Sequence, residues 1–207
     1  MNRRRFLAVF TLAACMLESV GNRFRTALAA GKLRLTPSQT EGPFYPVEAI
    51  PLRENLILNA DAVNGSPMWL SGRVLNTEGE PQADCRVEIW QCDGAGIYHH
   101  PNQPGQARVD PYFAGFGAVV TDAEGRYRFY ALYPVPYTGR PPHIHVKVWR
   151  GERELLTTQL YLRGQTGNEW WGRNRDELQM DPQPIASGSR DAGQDMAQMG
   201  AVFNFVV

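Results

Sequence analysis

From Trp69 onward the chain alternates apolar and polar residues in short runs separated by turn residues, which is the pattern of half-buried strands. WLSGRVLN is a candidate strand closed by the turn TEGEP. CRVEIWQ follows. Its Val87, Ile89 and Gln91 should face one side and Arg86, Glu88 and Trp90 the other, because side chains alternate along a strand. VVTDAEGRYRFYAL reads as two strands around a turn at Asp122 to Gly125. HIHVKVW and LLTTQLYL add two more, and AVFNFVV closes the chain as a final strand. No stretch carries the apolar period of an amphipathic helix of about 12 residues or more. No repeat of about 20 to 50 residues is present either. The expected fold is all-β: an antiparallel β-sandwich of residues 67–207 decorated with long functional loops.

Three segments escape the strand pattern. Residues 30–66 read as an irregular arm centred on TPSQTEGPFYP, where Pro37, Gly42, Pro43 and Pro46 break regular structure. CDGAGIYHHPNQPGQARVDPYFAGFG is a loop too long to be a mere connection. Its Tyr98, Tyr112, Phe113 and Phe116 favour order over disorder. Residues 163–192, rich in Gly, Asn, Asp and Gln, read as loop with a short helix, with Trp170 and Trp171 as packing residues.

The first residues belong to targeting rather than to the fold. MNRRRFLAVFTLAACML has a basic start and an apolar run from Phe6 to Leu17. That run falls short of the roughly 20 residues of a membrane-spanning helix. Arg3 and Arg4 followed by Phe6 and Leu7 match a twin-arginine export signal, with Ala27-Leu28-Ala29 as a cleavage site. Leu12-Ala13-Ala14-Cys15 is the rival, a lipoprotein box that would anchor the protein through Cys15. The expectation is an export signal over residues 1–29 and a periplasmic or secreted protein with no membrane span once mature. Without residues 1–29 the chain keeps 16 basic and 20 acidic residues, a net charge of −4. Such a charge leaves no footprint for nucleic acid. A homo-oligomer stays open. Cys85 and Cys92 bracket a strand of roughly 23 Å, well beyond the reach of a disulfide, so two free thiols are expected.

The chemistry concentrates in YPVPYTGRPPHIHVKVW. His143 and His145 stand two apart at the start of a strand, so both imidazoles face one side. Alone, His-x-His is a weak metal signal. Tyr137 precedes His143 by six residues across a tight turn, and Tyr98 stands in the long loop. A phenol with an ordinary pKa of about 10 ionises at neutral pH only beside a strongly charged cation. Zinc prefers Cys, His or carboxylate, and neither cysteine has a partner at zinc spacing. Two phenolates, a hydroxide and two neutral imidazoles would suit iron(III) and leave room for a substrate.

TEGPFYP, VEIWQCDGAGIYHHP, DPYFAGFG with VTDAEGRYRF, and YTGRPPHIHVKV with TTQLYL occur in that order from about Thr36 to Leu162. On these motifs the chain resembles the intradiol ring-cleavage dioxygenases, the protocatechuate 3,4-dioxygenase and catechol 1,2-dioxygenase family. The resemblance implies non-haem Fe(III) held by Tyr98, Tyr137, His143 and His145. It implies cleavage of a catechol-type ring between its hydroxyls with dioxygen, giving a cis,cis-muconate-type product. It makes Tyr137 the ligand that substrate displaces, Arg140 a stabiliser of negative charge on the ring, and Gln159 a group beside the substrate. Larger members carry a longer insert before the R-P-x-H-I-H run. Only five residues separate Tyr137 from His143 here, as in short exported members, so a more open site is expected. His99 and His100 adjoin Tyr98 but are read as solvated or outside the ligand set. Two other classes share this pattern: a non-catalytic β-sandwich binding module, and a different metal-dependent enzyme on the same fold.

Overall fold

The strand periodicity resolves into ten strands among the residues described by the computed structural model, which are 31–137, 139–165, 176–185 and 199–207. The N-terminal basic and apolar segment with Cys15, and the pair Trp170 and Trp171, lie outside these residues. In chain order the strands are β1 Pro67–Leu75, β2 Cys85–Trp90, β3 Phe116–Val120, β4 Arg126–Leu132, β5 His143–Arg150, β6 Arg153–Leu162, β7 Gln179–Met180, β8 Gln183–Pro184, β9 Met199–Val202 and β10 Phe205–Val206. No helix of the described residues is long and apolar enough to cross a membrane. The only helical turns among them are the short segments Gln106–Arg108 and Asp176–Leu178.

Two five-stranded sheets face each other across one apolar core. The first sheet contributes Met68, Leu70, Val74, Phe129, Ala131 and Phe205, and the second Val87, Ile89, Ile144, Val146, Val148 and Leu160. All twelve have negligible exposure, so period-two alternation delivers one complete face per strand to the interior. β1 comes so close to the C-terminal strands that a Cβ on Gly72 would sit 1.7 Å from the Phe203 carbonyl oxygen. Only glycine fits there.

The all-β, two-sheet architecture is as expected; within it the sheets are mixed rather than purely antiparallel. β1 pairs antiparallel with β4 but parallel with β9 and β10, and β6 pairs parallel with β7. Parallel partners cannot be joined by a tight hairpin, so each of these pairs joins strands well separated along the chain. AVFNFVV is also not one strand: it breaks between β9 and β10, where Asn204 Oδ1 accepts the Arg73 N–H in place of a backbone partner. The two strands around Asp122–Gly125 flank a turn as expected, yet they do not pair with each other. β3 joins β2 in the second sheet and β4 joins β1 in the first, so the turn crosses between layers.

The irregular arm is bound into this framework. Thr36 exchanges hydrogen bonds with Val206, and Gln39 donates to Thr157 O at 2.9 Å. Farther on, Arg53 and Pro51 bond Ala118 of edge strand β3, and Glu54 and Leu56 bond Tyr130 of edge strand β4. The arm thereby covers an exposed edge of both sheets, a common protection against edge-to-edge association. Between these ties it lies over the outer face of the second sheet. There a second, smaller cluster forms from Ile50, Trp90, Cys92, Tyr98, Phe116 and Ala118, with Phe44, Tyr45 and Tyr137 against it. Cys85 and Cys92 are free, buried thiols.

Candidate metal centre

β5 places His143, His145, Lys147 and Trp149 on the outer face of the second sheet, opposite the core-facing Ile144, Val146 and Val148. Register sets the neighbours. His145 lies across from Trp90 on β2 and Gln159 on β6, and His143 across from Tyr161. Trp90 stacks flat on the His145 ring at 4.8 Å and 10°. Packing therefore fixes the ring's orientation before any ligand arrives.

Tyr98 reaches the same place from the long loop. Asp93 builds that loop from within: its Oδ1 accepts the N–H groups of Ala95 and Ile97, each at 2.9 Å, and its Oδ2 that of Asp110 at 2.9 Å. A buried carboxylate so satisfied holds the turn that delivers Tyr98. Tyr137 enters from the other side on the turn to Arg140, whose N–H donates to Tyr137 O at 2.7 Å.

Three donor atoms converge. His143 Nε2 lies 3.1 Å from His145 Nε2 and 3.3 Å from the Tyr98 hydroxyl. The Tyr137 ring stands 5.5 Å from that of His143 and 5.3 Å, edge to face, from that of Tyr98. His143 Nδ1 donates to the Pro141 carbonyl at 2.6 Å, which leaves the Nε2 lone pair directed at the cluster. Nδ1 of His145 is buried with no hydrogen-bond partner among the described residues. Burial, the dominant cause, pushes His143 down to about 4 and His145 well below the ordinary imidazole value. Both rings are thus neutral at physiological pH, the form in which an imidazole can bind a metal ion. Burial also holds the Tyr98 and Tyr137 phenols above their ordinary value, opposed by the nearby Arg140 charge.

This donor set fits a metal ion. Two nitrogens bound at about 2.0–2.1 Å to one ion near a right angle lie roughly 3 Å apart, and the two Nε2 atoms already stand at 3.1 Å. Among the described residues no cluster of three or more His, Cys, Asp or Glu exists, and the protein oxygen that stands beside the two imidazoles is the Tyr98 hydroxyl. Phenolate is a hard anionic ligand that suits a highly charged ion over zinc.

Around these four side chains sits a polar tier. Arg140 donates to Gln159 Oε1 at 2.5 Å, Tyr161 donates to the same oxygen at 3.0 Å, and Gln159 Nε2 donates to the arm's Thr40 carbonyl at 2.7 Å. The guanidinium is therefore oriented by a glutamine that is itself held from two sides.

A family model described as "Dioxygenase" matches residues 40–206. The chain belongs to the intradiol dioxygenase family. It is 39% identical over 137 residues to the protocatechuate 3,4-dioxygenase beta chain of Burkholderia cepacia, covering 59% of this chain and 57% of that one. It is 32% identical over 149 residues to hydroxyquinol 1,2-dioxygenase of Corynebacterium glutamicum, covering 62% and 46%. The chain thus spans about half the length of these curated relatives. Among solved structures, the dioxygenase domain of a dioxygenase–carbohydrate-binding protein fusion from Streptomyces sp. SirexAA-E superposes with a TM-score of 0.61 at 29% identity. That match covers 84% of this chain and 98% of the other.

The structure brings Tyr98, Tyr137, His143, His145, Arg140 and Gln159 into one cluster, with His143, His145 and Gln159 on strands and Tyr98, Tyr137 and Arg140 on loops. Tyr133, close in sequence to Tyr137, instead packs against the main core. His99 is exposed, as a solvated residue should be, but His100 is buried. The His100 Nδ1 accepts the Asn102 N–H at 3.1 Å, and its ring lies 5.7 Å from Phe44. Sequence reasoning passed over Trp90, Phe44, Tyr161 and Asp93. Trp90 was legible in principle, because its register opposite His145 follows once β2 and β5 are paired. Phe44 was not, since nothing local says that the arm folds back over β5.

Proposed function

We propose that this protein is an iron(III)-dependent intradiol ring-cleavage dioxygenase that opens a catechol-type aromatic with dioxygen to a cis,cis-muconate-type diacid. The observation that carries this reading is the convergence of two neutral imidazoles, the buried Tyr98 and the half-buried Tyr137 on one point of the sheet face. Tyr98, Tyr137, His143 and His145 would hold the ion. When bound, iron(III) would ionise the phenols and draw electron density from a coordinated catecholate, which makes the ring reactive toward dioxygen.

The protein's own residues divide the remaining work. Tyr98, nearly fully buried and stacked on Phe44 at 4.8 Å, is the fixed phenol. Tyr137 is only half-buried and sits on a turn, so it can swing away as substrate enters and accept a hydroxyl proton on its phenolate oxygen. Arg140, oriented by Gln159, supplies a fixed positive charge where negative charge builds on the ring. Trp90 and Phe44 keep water from the ligand faces. The same reading places the protein outside the cytoplasm, through the export signal in residues 1–29.

The test is direct. Iron-loaded protein should show a visible tyrosinate-to-iron(III) absorption band. It should consume dioxygen with at least one member of a panel of catechol, protocatechuate, hydroxyquinol and larger catechol-bearing phenolics, with a product heavier than substrate by two oxygen atoms. A colourless iron-loaded protein, or ring cleavage in the absence of dioxygen, would overturn it.

A further inference from the structure

Beside the ligand row, the outer face of the second sheet carries an acid and a base that the proposed reaction does not use. Glu88 and Lys147 are directly paired across β2 and β5, two residues along from the Trp90–His145 pair. Both are buried, at 5% and 4% exposure. Charged residues at such depth normally satisfy each other. These two form no ion pair with one another, and each turns to the arm instead. Glu88 Oε2 accepts the Tyr45 hydroxyl at 2.8 Å and the Trp149 indole N–H at 2.9 Å, while its Oε1 takes Arg86 Nε at 2.6 Å. Lys147 bonds Glu41, lies 3.4 Å from Glu154, and rests its ammonium 4.2 Å from the centre of the Tyr45 ring.

The two grips bracket the part of the arm that touches the ligands. Between Glu41 and Tyr45 lie Gly42, Pro43 and Phe44. Gly42 has φ +80, and a Cβ there would stand 3.2 Å from His145 Cε1. Phe44 stacks on Tyr98 at 4.8 Å and meets the Tyr137 ring edge-on at 6.4 Å. A segment that contacts three of the four ligands is thus fastened immediately before and immediately after those contacts, by neighbours on the same sheet face.

We infer that Glu88 and Lys147 are positioning residues: they clamp Tyr45 and Glu41 so that Gly42 and Phe44 are held over the metal centre. The inference deepens the proposed function and rests on it for the meaning of "metal centre", but the clamp itself is a property of the folded chain. Glu41 is the accessible half of its grip, and Tyr45 can lose its hydroxyl without losing its ring, so the pair E41Q and Y45F opens both grips with little demand on folding.

Three readings separate the outcomes. In metal-free protein, the double variant should exchange the backbone amides of Glu41, Gly42, Phe44 and Tyr45 about tenfold faster or more, as local opening frees them, with β5 amides unchanged. In iron-loaded protein, a chelator should strip iron about tenfold faster, the usual scale for losing support around a ligand. For a turned-over catechol, KM should rise more than kcat falls, and K147R should retain wild-type behaviour where K147M does not. Unchanged exchange at those four arm amides overturns the clamp. Faster exchange with unchanged iron release and unchanged KM overturns the positioning role. Absence of any dioxygenase activity in the wild type is a failure of the proposed reaction alone, because exchange and iron release are read without substrate.

Discussion

The two faces of β5 are equally buried and built on opposite principles. The inner face presents Ile144, Val146 and Val148 to a regular sheet, and any well-packed apolar neighbour satisfies it. The outer face presents His143, His145 and Lys147, each as inaccessible as the core, but covered by an irregular arm and a loop. Its polar groups take particular partners, Pro141 O for His143 and Glu41 for Lys147, as Gln159 on neighbouring β6 takes Thr40. The inner face supplies stability through area, and the outer face spends it on arrangement. Substitutions on the two faces should therefore separate stability from metal chemistry.

The sharpest break comes from the ligands. His145→Ala should lower ring-cleavage turnover by about a thousandfold or more, since residues acting on one centre fail as a unit. Iron content after dialysis should fall with it, while the thermal transition of the metal-free protein stays near wild type or rises. On the other side of the comparison, Leu70→Ala removes a fully buried side chain far from the centre. It should cost about 2–5 kcal/mol in chemical denaturation, with iron stoichiometry and the visible band preserved. Arg140→Met should lower kcat about 10- to 100-fold with iron retained, the scale for groups that support a metal site. A matching loss of bound iron would instead make Arg140 part of the scaffold.

The gentlest probe is pH. As pH falls below 6.5, the unfolded chain protonates its imidazoles, whereas the folded His143 resists until about 4 and burial likewise holds His145 well below the ordinary imidazole value. The unfolded state binds more protons in that window. Metal-free stability should therefore be full above pH 6.5 and fall toward pH 4, by no more than about 1.4 kcal/mol per pH unit for each group. His143→Gln should flatten that slope. A slope unchanged by the substitution would mean that other groups carry the acid sensitivity.

Much of the site was legible before folding because it obeys local rules. Period two puts His143 and His145 on one face whatever sheet they join. A tight turn places Tyr137 within reach of them, and the spaced motifs pointed to Tyr98, Arg140 and Gln159. The strand segments were legible for the same reason, since alternation records which face is buried. Pairing was not legible. Asp122–Gly125 looks like a hairpin turn, yet its strands enter different sheets, because hydrogen-bonding partners are chosen by residues far away in the chain.

The amino-acid sequence by itself determined the strands, the faces they bury and the residue types that can bind a hard metal ion, because each depends on near neighbours along the chain. Only the tertiary structure decided that the sheets are mixed, that the arm is a strap across two sheet edges, and that Trp90, Phe44 and the Glu88–Lys147 pair belong to the surroundings of the candidate metal centre. These are contacts between segments far apart in sequence. Irregular backbone has no period to announce them, and they exist only once the core has brought those segments together.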